Sequence, residues 1–325
     1  MPKVALIRVE DHSYEAVYQI FKKWLSQIID PAIFQQSKII IKPNLCAPLL
    51  SETGATTDVR IVEALIAYIN EINPSATIFV VESDVNSGVI YSPDMLFLET
   101  GYNQLEKRYS NVKLVDLSRS SQTTINNEGL KHFKESGLSL ANVLTDGVFV
   151  SVAKLKTSVH ERYTGILKNQ FGCLSTSRKD QYHPYLSKVL TDLNFVLEPK
   201  LCIIDGLIGM EGLGPTAGKP KKMNLLIIGN NPVATDAVGA TVMGINPKRV
   251  THLKAAAKRE LGEIDVEAIE VLGERIQNVK EKFKFINEIS YQLLRLSFAV
   301  VRWPLPKGVK FFIAKHLHNL ARALY

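Results

Sequence analysis

Residues 38–45 read KIIIKPNL: three isoleucines in a row between two lysines, then a proline. An unbroken β-branched apolar run suits a strand buried on both faces, and Pro43 ends it because proline has no N–H for a ladder. Strands of that type belong to parallel sheets, whose crossover helices cover both sides. Working outward, similar runs recur at VALIRV (4–9), TIFVVE (77–82), VKLVDL (112–117), VFVSVAK (148–154), KLCIID (200–205), NLLIIG (224–229) and AIEVL (268–272). Helical periods fall between them at 14–29, 58–72, 94–108, 185–197, 232–243 and 249–260. The first carries Val17, Ile20, Phe21, Trp24, Leu25 and Ile28 on one stripe. Strands alternating with helices predict an α/β fold, with a largely parallel sheet or sheets flanked by helices.

The chain has 325 residues, 46% hydrophobic and 22% charged, within ordinary globular ranges. The amino-terminal MPKVALIRVEDHSYE reads as a first strand and not as a signal peptide. Cys46, Cys173 and Cys202 are odd in number and lack CxxC spacing, which predicts reduced thiols and a cytoplasmic location. The net charge of +7 sits in one place. Residues 276–325 hold nine Lys or Arg and two Glu, and the remaining thirty basic and thirty acidic residues of 1–275 balance. A neutral body offers no field for phosphodiester chains, so nucleic acid is excluded as a partner.

The domain reading follows the same break. Residues 1–275 form the α/β body, divisible into two sub-domains near 120–145. Residues 276–325 form an amphipathic, basic helical tail. Phe283, Ile286, Ile289, Leu293, Leu296 and Val300 recur at threes and fours, predicting a helix over 279–300. A second amphipathic segment runs from Val309 to Leu324, after Trp303-Pro304-Leu305-Pro306. Such a tail suits either a helical pair folded on the body, a homo-oligomer contact, or a peripheral membrane contact with anionic headgroups.

Four strands end in a charged residue: Lys42, Glu82, Lys154 and Asp205. Ligands in open α/β sheets bind beyond the carboxyl ends of the strands, so these residues predict a shared site there. The segment VAKLKTSVHERYTGILKNQFGCLS (152–175) adds Lys156, His160, Arg162, Thr164, Lys168 and Asn169. Clustered ammonium and hydroxyl donors suit an anion, and crowding lowers a lysine pKa towards base chemistry. A solvated basic loop is the structural alternative. The stretch GLIGMEGLGPTAGKPKKM (206–223) reads as a loop in which Gly212 and Gly214 admit close approach of a ligand. It lacks the GxxxxGK[ST] pattern of a phosphate loop and the spacing of a dinucleotide fingerprint. In NNPVATDAVGATVMG (230–244), Asn231 and Pro232 start a helix and Asp236 lies one turn in. His160, His183, Cys173, Asp205 and Glu211 lack the spacing of a metal site, so none is assigned.

Five blocks carry a resemblance: IIIKPNL (39–45), AKLKT with TGILKNQFG (153–172), the histidine of DQYHP (His183), IIDGLIGMEGLGPTAG (203–218) and NNPVATDAVGATVMG (230–244). In that order, over roughly 38–273, the chain resembles the domain of unknown function 362 family. The resemblance implies an intracellular α/β protein; some members of that family are fused to ferredoxin-like iron–sulfur segments. Three scattered cysteines cannot supply a Cys₄ set, so no intrinsic iron–sulfur cluster is expected and the cofactor is left open. Ser158 stands where many relatives have a histidine after Lys-Thr.

The expected function is therefore an enzyme acting on a small anionic substrate, a carboxylate or phosphate. His183, Lys168, Lys156 and Asp205 are the candidate catalytic residues. Lys42, Asn44, Glu82, Lys154, Thr164, Asn169, Gly212, Gly214 and Asp236 are the candidate binding residues. The alternative is a non-catalytic binding or assembly protein linked to redox or metal metabolism.

Overall fold

The computed structural model describes residues 1–86, 89–159, 161–300 and 304–323; His160, Trp303 and Leu324, singled out above, lie outside them. Chain order begins with β1 (Lys3–Arg8), α1 (Tyr14–Ile28), β2 (Lys38–Pro43), α2 (Val59–Ile72) and β3 (Thr77–Glu82). A small ladder of β4 (Val85–Asn86) with β5 (Ile90–Tyr91) precedes α3 (Pro93–Glu99), α4 (Leu105–Arg108) and β6 (Val112–Asp116). A second hairpin pairs β7 (Gln122–Ile125) with β8 (Leu138–Ala141). Next come β9 (Val148–Ser158), β10 (Arg162–Thr164), α5 (Ile166–Asn169) and α6 (Leu186–Leu197). They are followed by β11 (Leu201–Glu211), β12 (Lys219–Gly229), α7 (Pro232–Val242), α8 (Thr251–Lys258) and β13 (Glu270–Gly273). Three helices close the chain: α9 (Ile276–Val279), α10 (Glu288–Val300) and α11 (Lys307–Ala323).

The main sheet runs β13-β1-β12-β11-β9-β2-β3-β6, with β10 paired to β9. Along that path every neighbouring pair is parallel except those made by β12, which opposes both β11 and β1. The fold is thus α/β with a mostly parallel sheet, and its strands come from both sides of residues 120–145. Strand alternation splits the core. Ile39 and Ile41 face α1 and α2, while Ile40 faces α6 and the β7–β8 hairpin. Over β1, β11 and β12 that second face is covered by α7 and α8, which pack on Val4, Leu6, Cys202 and Ile204.

Helix starts follow local chemistry. Ser13, Asp58 and Asn231 each accept an N–H from the first turn of α1, α2 and α7. The single helix expected over 94–108 is broken, because Gly101 takes φ 81 and reverses the chain between α3 and α4.

Two expectations change more. Residues 206–223, read as a loop, form the outer half of a long β11–β12 hairpin with only a short turn between. Gly206 and Gly209 lie flat in it, with Leu155 and Phe283 packed where side chains would stand, so cross-strand pairing overrides their low strand preference. The helix expected over 279–300 begins only at Glu288. Before it, the chain runs along the hairpin: Phe283 is buried against Gly209, Lys284 N–H donates to Glu211, and Lys284 C=O accepts from Gly212.

Candidate functional site

Parallel neighbours bring the carboxyl ends of β2 and β3 level with Lys154 and Asp205 at one crest; these two, expected at strand ends, lie inside β9 and β11, which run on to Ser158 and Glu211. Lys154 and Asp205 are register partners on β9 and β11, so their side chains rise together; Nζ lies 2.8 Å from Oδ2 and both are buried. Burial raises the Asp205 pKa, with Lys154 opposing it. Asp205 also accepts the N–H groups of Asp58 (2.8 Å) and Leu207 (3.0 Å), which ties the start of α2 to the crest. One strand over, Lys42 Nζ sits 2.6 Å from Glu82 Oε2, again fully buried. Glu82 accepts Leu45 and Ser83 N–H as well. Lys42 and Lys154 therefore neutralise the chain's own carboxylates and build the crest.

Lys156 differs. Its ammonium donates to Asn44 Oδ1 (2.8 Å), to the Ala55 carbonyl and to Cys46 Sγ (3.0 Å), with no carboxylate among these partners. Burial lowers its pKa, Cys46 raises it, and the charges of Lys154 and Lys42 add to the lowering. From Asn44 a polar chain runs inward. Asn44 donates to Asn169, Asn169 to Ser151, Ser151 to Gln170, and Gln170 to Asn194. These contacts fix the orientation of Asn44, which Lys156 touches, and of Asn169 behind it.

The turn after β10 supplies the unpaired groups. Asp236, on α7, accepts from Ile166 N–H (2.6 Å), Leu167 N–H (2.9 Å) and Tyr163 Oη (3.1 Å), and so pins the start of α5. Burial pushes its pKa up to about 6. Gly165 makes that clamp possible, since a Cβ there would stand 2.0 Å from Asp236 Oδ1. The clamped helix presents Lys168, half-buried, whose Nζ has no hydrogen bond or ion pair among the described residues. Burial, then the charge of Lys156, brings its pKa down to about 8. Thr164 is the register partner of Lys156, so both side chains share a face; its buried Oγ1 has no hydrogen-bond partner among the described residues. Glu161, which pairs with buried His252 at 3.1 Å, opposes the lowering at Lys168.

His183 lies on the 3₁₀ segment Lys179–Tyr185 and stacks on Phe171 at 5.7 Å. That same segment carries Lys179 to Ser83 and to the Asp84 carbonyl, on the Glu82 flank. Gly212 and Gly214 use their backbone within the chain: Gly212 C=O accepts from Thr157 Oγ1, and Gly214 C=O from Val159 N–H. The close approach they permit in the structure is to the end of β9. Residues to which the sequence assigns no part in the site are Asp58, Ala55, Tyr163, Lys179 and His252. Asp58 was legible only as a helix cap, and the rest carried no spacing signal. Among the described residues no group of three His, Cys, Asp or Glu stands close enough to hold a metal ion.

Fold and crest together define an α/β protein with a buried Lys/Asp/Asn network at the carboxyl ends of its strands. The chain belongs to the family described as Domain of unknown function (DUF362), whose model matches residues 39–241. It is 29% identical over 122 residues to a thylakoid-associated protein of Synechocystis sp., covering 35% of this chain and 37% of that protein. The chain thus matches little more than a third of that relative's length. Among solved structures, the lactate racemase apoprotein of Thermoanaerobacterium thermosaccharolyticum aligns with a TM-score of 0.38 and 12% identity. That alignment covers 79% of this chain and 56% of that one.

Proposed function

We propose that the crest binds a small carboxylate or phosphate and performs an acid–base step on it, with Lys168 as the exchanging amine. One observation carries this: among the described residues the Lys168 ammonium has no hydrogen-bond or ion-pair partner beside Lys156, and the Thr164 hydroxyl on the face of Lys156 has none either. Two neighbouring cations repel, and a buried hydroxyl without a partner costs about 1–3 kcal/mol. An anion in that place would screen the two ammonium groups from each other and give Lys168 and the Thr164 hydroxyl a partner. Asn44 and Asn169 would orient it, and a pKa of about 8 makes both forms of Lys168 accessible near neutral pH.

A binding role without catalysis has its own support, since Lys42, Lys154 and Lys156 are already saturated within the chain. Substitution separates the two. Anions that co-purify with the protein are identified by mass spectrometry and titrated back by calorimetry. Lys168→Ala should weaken binding by about 1.5–3 kcal/mol, the scale of a charge-assisted hydrogen bond. Lys168→Arg keeps the charge but removes the titration near 8, so a catalyst loses turnover while a binder keeps its affinity. Unchanged binding in Lys168→Ala sinks both readings of the site.

A further inference from the structure

The last two helices leave an apolar face uncovered. α10 and α11 pack on each other, and Leu294, Val300 and Ala314 are buried. The opposite side of α11 turns Val309, Phe312 and Leu320 outward, a helical stripe, and Phe312 is 63% exposed. α10 contributes Ile289, 67% exposed, and Leu296, exposed seven residues further along the helix. The charge of the segment has one sign: residues 289–325 contain six Lys or Arg and no Asp or Glu. Lys315 stands exposed among the apolar groups, with Lys310 half-buried one turn before it.

We infer that this helical pair is a peripheral membrane anchor that lies in the headgroup region of an anionic bilayer. Charge complementarity selects the occupant. A second copy would bring a tail of +7 against another of +7, with no acidic residue beyond Glu288 to relieve the repulsion. An anionic lipid surface accepts the apolar stripe and neutralises the lysines in one step. No helix among the described residues is long and apolar enough to cross a membrane, so the pair lies along the surface. The neutral body is then held with only its tail committed to the lipid.

The test uses the full-length protein with two sets of vesicles, pure phosphatidylcholine and phosphatidylcholine mixed with phosphatidylglycerol. Co-sedimentation should occur with the mixed vesicles only and weaken as salt rises. Lys315→Glu should weaken it by roughly tenfold or more, since each basic group near such a surface counts separately. Val309→Asp with Phe312→Asp should abolish it while circular dichroism and the unfolding midpoint stay those of the parent. Equal affinity for both vesicle types, or none for either, overturns the proposal. So does a concentration-dependent dimer by light scattering that the double substitution dissolves, because the face would then belong to a second copy.

Discussion

At Asp236 a buried carboxylate is held by two N–H groups and one hydroxyl, yet burial still raises its pKa from 3.8 to about 6. A folded state that binds the proton more tightly than the unfolded chain gains stability as pH falls. The gain from this group starts near pH 6 and is complete below about 3.8. Asp236→Asn cannot titrate. The difference in unfolding free energy between parent and variant should therefore widen in the parent's favour from pH 7 to pH 4, read from urea titrations. A difference that stays flat or narrows contradicts the buried clamp. The clamp is not legible in the sequence, where Asp236 is an acid one turn into a helix and a candidate binding residue. Lys42 and Lys154 were legible as members of the crest, but not as halves of ion pairs. Pairing with Glu82 and Asp205 depends on which strands are neighbours, and that is decided by distant parts of the chain. Breaking either buried pair from one side costs on the order of 3–5 kcal/mol, which marks them as scaffold for Lys156 and Lys168.

Strands and helices were read far better than their partners. The apolar runs at 38–42, 77–82, 148–154, 200–205 and 224–229 all became strands, because burial on two faces leaves a composition that few other structures share. What failed was the glycine-rich stretch 206–223. Its glycines suit a loop by composition, whereas the hairpin uses them where backbone meets backbone. A Cβ on Gly214 would lie 2.1 Å from the carbonyl oxygen of Thr157, a buried residue of β9. Gly214→Ala should therefore destabilise the protein by about 1–3 kcal/mol, the usual range for overpacking a fixed backbone. Thermal unfolding measures it directly, and an unchanged midpoint would show that the turn is free to move away from β9.

On the scale of the whole molecule, the chain changes character later than its charge suggests. The basic segment begins near residue 276, but Phe283 and Lys284 belong to the body through Gly209, Glu211 and Gly212. A chain ended after Asn287 should unfold in urea like the body of the full-length protein. One ended after Val279 loses a buried phenylalanine and should be weaker by about 3–5 kcal/mol. Equal stability of the two would detach Phe283 from the core. The central claim is Lys168, unpaired among the described residues, as the anion's partner, and the most direct measurement is the affinity of the intact protein for inorganic phosphate between pH 7 and pH 10. With a Lys168 pKa of about 8, affinity should hold below that pH and fall about tenfold per unit above it, and Lys168→Arg should abolish the fall. Binding that is flat across this range, or that Lys168→Ala leaves intact, would contradict the account.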